Sequence, residues 1–160
     1  MNNLFTSPLE VGVRVLTLLV KAFPSRLDIN HLVFLAHALL HSADLNGPES
    51  LHPPAPIRVG EFGVKRQHVR DGLSVMVRAG LVQIETSERG VEFCASDGAE
   101  NFLKLLESSY AHSLRSRAHW VVDESRGSDY VYLREQMKKI CSHWTDELET
   151  MQYEKGDDNS

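Results

Sequence analysis

The fold is decided by residues 79–94, AGLVQIETSERGVEFC, which directly follow an apolar helical stretch. Gly80 predicts the end of that helix, because glycine adopts positive φ without steric cost. Residues 81–85 predict a strand, residues 87–90 a turn, and residues 91–94 the returning strand. We therefore expect a helix, a glycine stop and a β-hairpin in succession.

Three helices are predicted before this hairpin. Ser7 is expected to cap a first helix over residues 8–22, since proline follows it and a glutamate completes a capping box. Asp28 predicts the cap of a second helix that runs to about residue 42. The third helix is expected over residues 64–79. Its buried side is predicted from residues spaced i, i+4 and i+7, which are Val69, Leu73 and Met76.

Three helices followed by a hairpin are the order of elements in a winged helix-turn-helix domain. We predict a mainly α fold, with a winged helix-turn-helix domain over residues 1–98, a two-stranded wing and a C-terminal helical extension over residues 99–152. Asp97 is expected to cap the first helix of the extension. An acidic tail over residues 153–160 is predicted to be disordered. Winged helices bind DNA, RNA or proteins, so the fold leaves the function open.

Composition places limits on the class of protein. The chain has 160 residues, of which 42% are apolar, enough for a packed core. The net charge of −5 argues against nucleic-acid binding by the whole surface. Cys94 and Cys141 lie far apart and are expected to be free thiols. No apolar run reaches the ~18 residues of a membrane span, and we predict a cytoplasmic chain with no membrane contact.

The first two helices are apolar on more than one face, whereas a surface helix needs a single apolar stripe. Either both helices lie at the centre of the core, or one face of each binds another subunit. On the second interpretation, Val13 and Phe34 are predicted to bind a partner.

A proline-rich insertion loop is predicted over residues 43–62, which is long for a connection within a compact domain. The loop carries apolar side chains, and we therefore expect it to pack onto a surface. Its predicted partner-binding residues are Leu51, His52, Pro53, Pro54 and Arg58.

The third helix carries a local excess of positive charge. Lys65, Arg66 and Arg70 are predicted to bind phosphates of double-stranded DNA, and Arg66 and Arg70 lie one helical turn apart. A solvated helix face is one alternative, and pairing with acidic residues of a partner protein is another.

Sequence motifs for catalysis are absent. His37 and His41 have the i, i+4 spacing that can place two imidazoles on one ion, but no third ligand is indicated. The chain contains no nucleophile elbow, no phosphate-binding loop and no glycine-rich dinucleotide motif. We predict no catalytic residue, no metal site and no cofactor.

Several motifs resemble the middle component of bacterial ABC-three-component conflict systems. They are LFTSPLE at 4–10, HSAD at 41–44, GPESLHPP at 47–54, RVGE at 58–61, DGL at 71–73 and GL at 80–81. The similarity covers roughly residues 3–122, and the segment NGPESLHPP is its most distinctive part. These systems overlap with Lamassu-type defence systems, including the Ddm anti-plasmid and anti-phage operon.

The resemblance implies a system of three proteins. One is an SMC-like ATPase with a long coiled coil, another is an effector that is often a nuclease, and the small subunit joins them. We therefore expect a non-catalytic adaptor. The alternatives are a free winged-helix transcriptional regulator, which should be a symmetric dimer on a palindromic site, and an unrelated scaffold or enzyme.

Overall fold

A computed structural model of the chain describes residues 7–41, 48–51 and 61–125, together with Glu135. The described residues form five helices and one two-stranded antiparallel sheet. In chain order these elements are α1 (Pro8–Ala22), α2 (Ile29–Leu40), α3 (Glu61–Arg78), β1 (Val82–Ser87), β2 (Gly90–Ala95), α4 (Ala99–Lys104) and α5 (Ser109–Ser125). The mainly helical class is thereby confirmed.

The first two helices begin at the caps predicted for them. The Ser7 Oγ accepts a hydrogen bond from the backbone N–H of Glu10 at 3.2 Å. The Asp28 Oδ1 accepts one from the backbone N–H of His31 at 2.7 Å. Each bond satisfies an N–H group that has no partner within the first turn of a helix.

Two predicted boundaries are wrong. α3 begins at Glu61, three residues before the predicted start, so the insertion loop is shorter at that end. α4 begins after Gly98 without a side-chain cap, so Asp97 does not cap it. The predicted helical extension beyond residue 125 and the predicted disordered tail lie outside the described residues, apart from Glu135.

α3 ends in a Schellman motif at Gly80, whose φ is +76°. The N–H of Leu81 donates to the carbonyl of Met76 at 2.9 Å, and the N–H of Gly80 donates to the carbonyl of Val77 at 3.0 Å. The Oγ of Ser96 donates to the carbonyl of Gly80 at 2.7 Å. The chain therefore turns from α3 directly into the hairpin, and the far end of the hairpin is bonded to the same turn.

The hairpin is also bonded to the chain between α1 and α2. Within the hairpin, Val82 pairs with Ala95 and the register continues outward to the turn. The N–H of Leu27 donates to the carbonyl of Phe93 at 3.0 Å, and the N–H of Phe93 donates back at 2.8 Å. This bridge places β2 beside the start of α2, a contact that the sequence did not indicate.

α1 is the central helix of the fold, and it contacts α2, α3, α4, α5 and β2. The side chains of α1 are consequently buried on several sides of the helix. This burial explains why α1 is apolar on more than one face. α5 also packs into this core through four buried side chains, which are Leu114, Ala118, Val121 and Val122. No described helix is both long and apolar enough to cross a bilayer.

One charged side chain lies inside the core. Arg14 of α1 is buried and hydrogen-bonds to the Tyr110 side chain of α5, with Glu10 nearby. Burial lowers the pKa of the Arg14 guanidinium and raises the pKa of the Tyr110 hydroxyl. The arginine that interrupts the apolar run of α1 therefore joins α1 to α5.

α1 and α3 cross at two glycines. A Cβ added to Gly72 would lie 2.7 Å from the backbone nitrogen of Gly12 and 3.0 Å from the carbonyl carbon of Val11. A Cβ added to Gly12 would lie 2.8 Å from the Cε of Met76. The backbones of the two helices are thus in direct contact, and a methyl group at Gly72 has no space.

Gly72→Ala is expected to lower the free energy of unfolding by about 2–3 kcal/mol, because backbone atoms of α1 would have to move. Urea denaturation of the full chain measures this change. Gly63→Ala is the matched control on the same helix, since no atom of the described residues lies within 4 Å of its added Cβ. Gly63→Ala should leave the free energy of unfolding unchanged or raise it by up to about 1 kcal/mol. Equal effects of the two substitutions would show that the crossing imposes no steric constraint.

Candidate functional site

A groove of about 730 Å³ lies between the start of α2, one side of α3 and the hairpin. We call it the α3–hairpin groove. Its volume is within the range of about 300–1,000 Å³ typical of ligand pockets. Its apolar lining consists of Ile29, Leu73, Val77, Ile84, Val91 and Phe93. Its basic lining consists of Arg66, Arg70 and Arg89.

The hairpin supplies an exposed apolar surface to this groove. Side chains two residues apart on a strand share a face, so Ile84 lies on the same face as the buried Val82. On the paired strand, Val91 lies on the same face as the buried Ala95. Ile84 and Val91 are 52% and 50% exposed, respectively. The core therefore continues outward along this face into an open apolar surface.

Three arginines line the same groove. The Nε of Arg66 donates to the Oδ1 of Asn30 at 3.1 Å, which holds the side chain against the start of α2. Arg70 follows one turn later and is exposed, so these two residues share a side of α3 as predicted. Arg89 comes from the turn of the hairpin. Arg89 was not predicted as a site residue, although its position in the predicted hairpin turn is visible in the sequence.

Lys65 does not belong to this group. Its charge contributes to lowering the pKa of His37, so Lys65 lies near the C-terminal half of α2. Residues 65 and 70 are separated by about 140° around a helix of 3.6 residues per turn. The predicted cluster of three cations is therefore divided between two sides of α3.

The two predicted partner-binding residues of α1 and α2 lie against the core. Phe34 is 2% exposed, and it offers a partner almost no surface in this arrangement. Val13 is half-buried and packs against the core. The surplus apolar surface of these helices is largely covered within the chain, which favours the first of the two interpretations given above. A partner contact through Val13 stays a prediction.

The insertion loop is described only at residues 48–51. Leu51 is half-buried and packs against the core. The carbonyl of Glu49 accepts a hydrogen bond from the Nε of Arg117 at 3.0 Å, so this segment lies against α5. The other predicted contact residues of the loop lie outside the described residues, and their roles stay predictions: His52, Pro53, Pro54 and Arg58.

The two histidines with metal-ligand spacing are close neighbours. The ring centroids of His37 and His41 lie 4.8 Å apart, and His37 is buried. In the part of the chain that the structure describes, no three side chains of His, Cys, Asp or Glu are grouped to hold a metal ion. Burial, with smaller contributions from the neighbouring His41 and from Lys65, lowers the pKa of His37 to about 3.

Comparison with known proteins gives one match. A family model described as the ABC-three component (ABC-3C) system Middle Component 2 matches residues 4–147. No curated protein and no solved structure matches the chain.

Acidification is expected to destabilise the chain through His37. The pKa of His37 is about 3 in the folded state, whereas its ordinary value is 6.5. As the pH falls, the unfolded state therefore binds a proton at a higher pH than the folded state does. The stability contributed by neutral His37 is fully present above pH 6.5 and is lost as the pH falls towards 3. This loss should reach about 3 kcal/mol between about pH 7 and about pH 4.5.

His37→Leu should therefore flatten the pH dependence of the free energy of unfolding, measured by urea denaturation at several pH values. His119→Gln removes an exposed histidine and is the matched control. If both variants keep the pH dependence of the unmodified chain, His37 is not the group responsible.

Proposed function

The protein belongs to the Middle Component 2 family of ABC-three component systems, since the matched region covers most of the chain, and we propose that it is a non-catalytic adaptor. A middle component of such a defence system acts together with partner components. In our proposal it works in the cytoplasm and bridges an SMC-like ATPase to an effector nuclease, as in Lamassu-type and Ddm-type defence. Family membership is the observation that carries this proposal.

The proposed domain type is a winged helix. The order of elements supports it, because α1, the Leu27 bridge, α2, α3 and the hairpin follow one another in the chain. α3 would be the helix presented to a ligand, and the hairpin would be the wing beside it. The α3–hairpin groove lies between these two elements, so this arrangement would place the binding surface of the adaptor there.

Contact with double-stranded DNA is a second part of the proposal. Arg66 and Arg70 on one side of α3, with Arg89 in the hairpin turn, form a local cationic surface in a chain of net charge −5. Such a surface neutralises phosphates without reading the base sequence. The alternative function, a free winged-helix transcriptional regulator, would use the same surface to read a palindromic site as a dimer.

Bridging is tested by co-expressing the other components of the system with and without this chain. The effector is expected to co-purify with a tagged ATPase only when the chain is present, in one complex by size-exclusion chromatography with light scattering. Recovery of the effector without the chain would exclude the bridging role. A symmetric dimer that binds a palindromic duplex and no other component would favour the transcriptional regulator.

The DNA contact is tested by the salt dependence of binding, measured by fluorescence anisotropy of the assembled complex on two unrelated duplexes. Arg66→Ala with Arg70→Ala should weaken binding equally on both duplexes. A plot of the logarithm of the binding constant against the logarithm of the salt concentration has a negative slope. Each lost phosphate contact should make that slope shallower by about 0.9. Lys65→Ala is the matched control, because Lys65 lies on another side of α3. An unchanged slope for the double variant would remove DNA from the function of this surface.

A further inference from the structure

We propose that the α3–hairpin groove binds an acidic amphipathic segment of another component of the same system. Apolar side chains of that segment would fill the space between α3 and the hairpin, and its carboxylates would pair with Arg70 and Arg89. The inference rests on the proposed adaptor function and names the site and the chemistry of the contact.

The apolar lining requires a ligand with apolar side chains. Ile84 and Val91 are half exposed on a hairpin face whose inner end is buried in the core. The half-buried Val77 lines the same groove from α3. Covering such surface removes it from water, at roughly 25 cal/mol for each Å² of apolar area. A peptide segment with alternating or helically spaced apolar residues is a ligand of this kind.

The charge of the groove requires a ligand with carboxylates. The described lining contains three arginines and one acidic residue, Asp28, whose Oδ1 already accepts the His31 N–H. Across the described ranges, the guanidinium groups of Arg70 and Arg89 make no ion pair or hydrogen bond. One guanidinium group comes from α3 and the other from the hairpin turn, and both line the groove beside apolar side chains, which matches a segment that carries carboxylates as well as apolar residues. Arginine binds carboxylates in a bidentate geometry, which adds specificity.

Duplex DNA would compete with a peptide for Arg70 and Arg89, and it fits the interior of the groove less well than a peptide does. Half to two-thirds of protein–DNA hydrogen bonds go to phosphate and sugar, which are polar groups. Phosphates bound between Arg70 and Arg89 would face the apolar side chains of Ile84 and Val91. The Nε–H of Arg66 already donates to Asn30 and is not available to a phosphate. The combination of apolar and basic side chains therefore favours an acidic protein segment.

The site of contact is tested by photocrosslinking in the co-expressed complex. A benzoylphenylalanine residue at Val91 should crosslink to a partner component, and mass spectrometry should locate the crosslink in a segment that contains both carboxylates and apolar residues. The same probe at Leu105, which is 78% exposed and outside the groove, is the control and should not crosslink to that segment. Crosslinks to residues 126–160 of this chain, or to DNA, would overturn the proposal.

The chemistry of the contact is tested with overlapping synthetic peptides that cover the partner components, bound to the full chain and measured by fluorescence anisotropy. Arg70→Glu with Arg89→Glu, and separately Ile84→Ser with Val91→Ser, should each weaken the binding peptide by about tenfold or more. Arg78→Glu and Leu105→Ser are the matched controls for charge and for apolar exposure, and both should bind normally. Circular dichroism and thermal melting confirm that each variant is folded.

The outcomes separate this inference from the adaptor function. If the complex assembles but the groove variants bind their partners like the unmodified chain, the inference is wrong and the adaptor function stands. If only the charge variant loses binding and the apolar variant does not, the contact is electrostatic and the amphipathic segment is excluded. If the chain assembles with no component, the adaptor function and this inference both fail.

Discussion

The contact between the backbones of α1 and α3 at Gly12 and Gly72 is the constraint on which the rest of the structure depends. Helices with ordinary side chains at their contact lie about 8–10 Å apart, and glycine allows a closer approach. This approach places α1 at the centre of the fold, where four other helices and β2 cover it. It also sets the orientation of α3, and with it the direction in which the arginines of α3 point.

The α3–hairpin groove follows from that orientation and from two further bonds. The Schellman motif at Gly80 directs the chain from α3 into the hairpin, and the Leu27–Phe93 bridge holds the hairpin beside the start of α2. The groove then combines an apolar face with three arginines, in a chain whose net charge is negative. For the middle component of a multi-protein system, such a local surface is more informative about partners than the total charge is.

Much of the local structure is determined by the sequence alone. Caps and helix ends depend on residues within one turn, and the structure confirms them at Ser7, Asp28 and Gly80. The buried side of α3 follows from a period of 3.6 residues, and the residues predicted for it are all buried: Val69, Leu73 and Met76. Family membership was also recognisable from short motifs, including DGL at 71–73, whose glycine forms the helix crossing.

Only the tertiary structure decided which residues form the groove and which helices share the core. Arg89 joins Arg66 and Arg70 because the hairpin folds back onto α3, and Lys65 is separated from them because it lies near His37. The sequence shows that α1 and α2 are apolar on more than one face, but periodicity does not show what covers each face. A partner protein and the core of the chain were therefore both compatible with the sequence. Packing of α1 and α2 against α3 and α5 covers these faces within the chain, because contacts between residues distant in sequence decide burial.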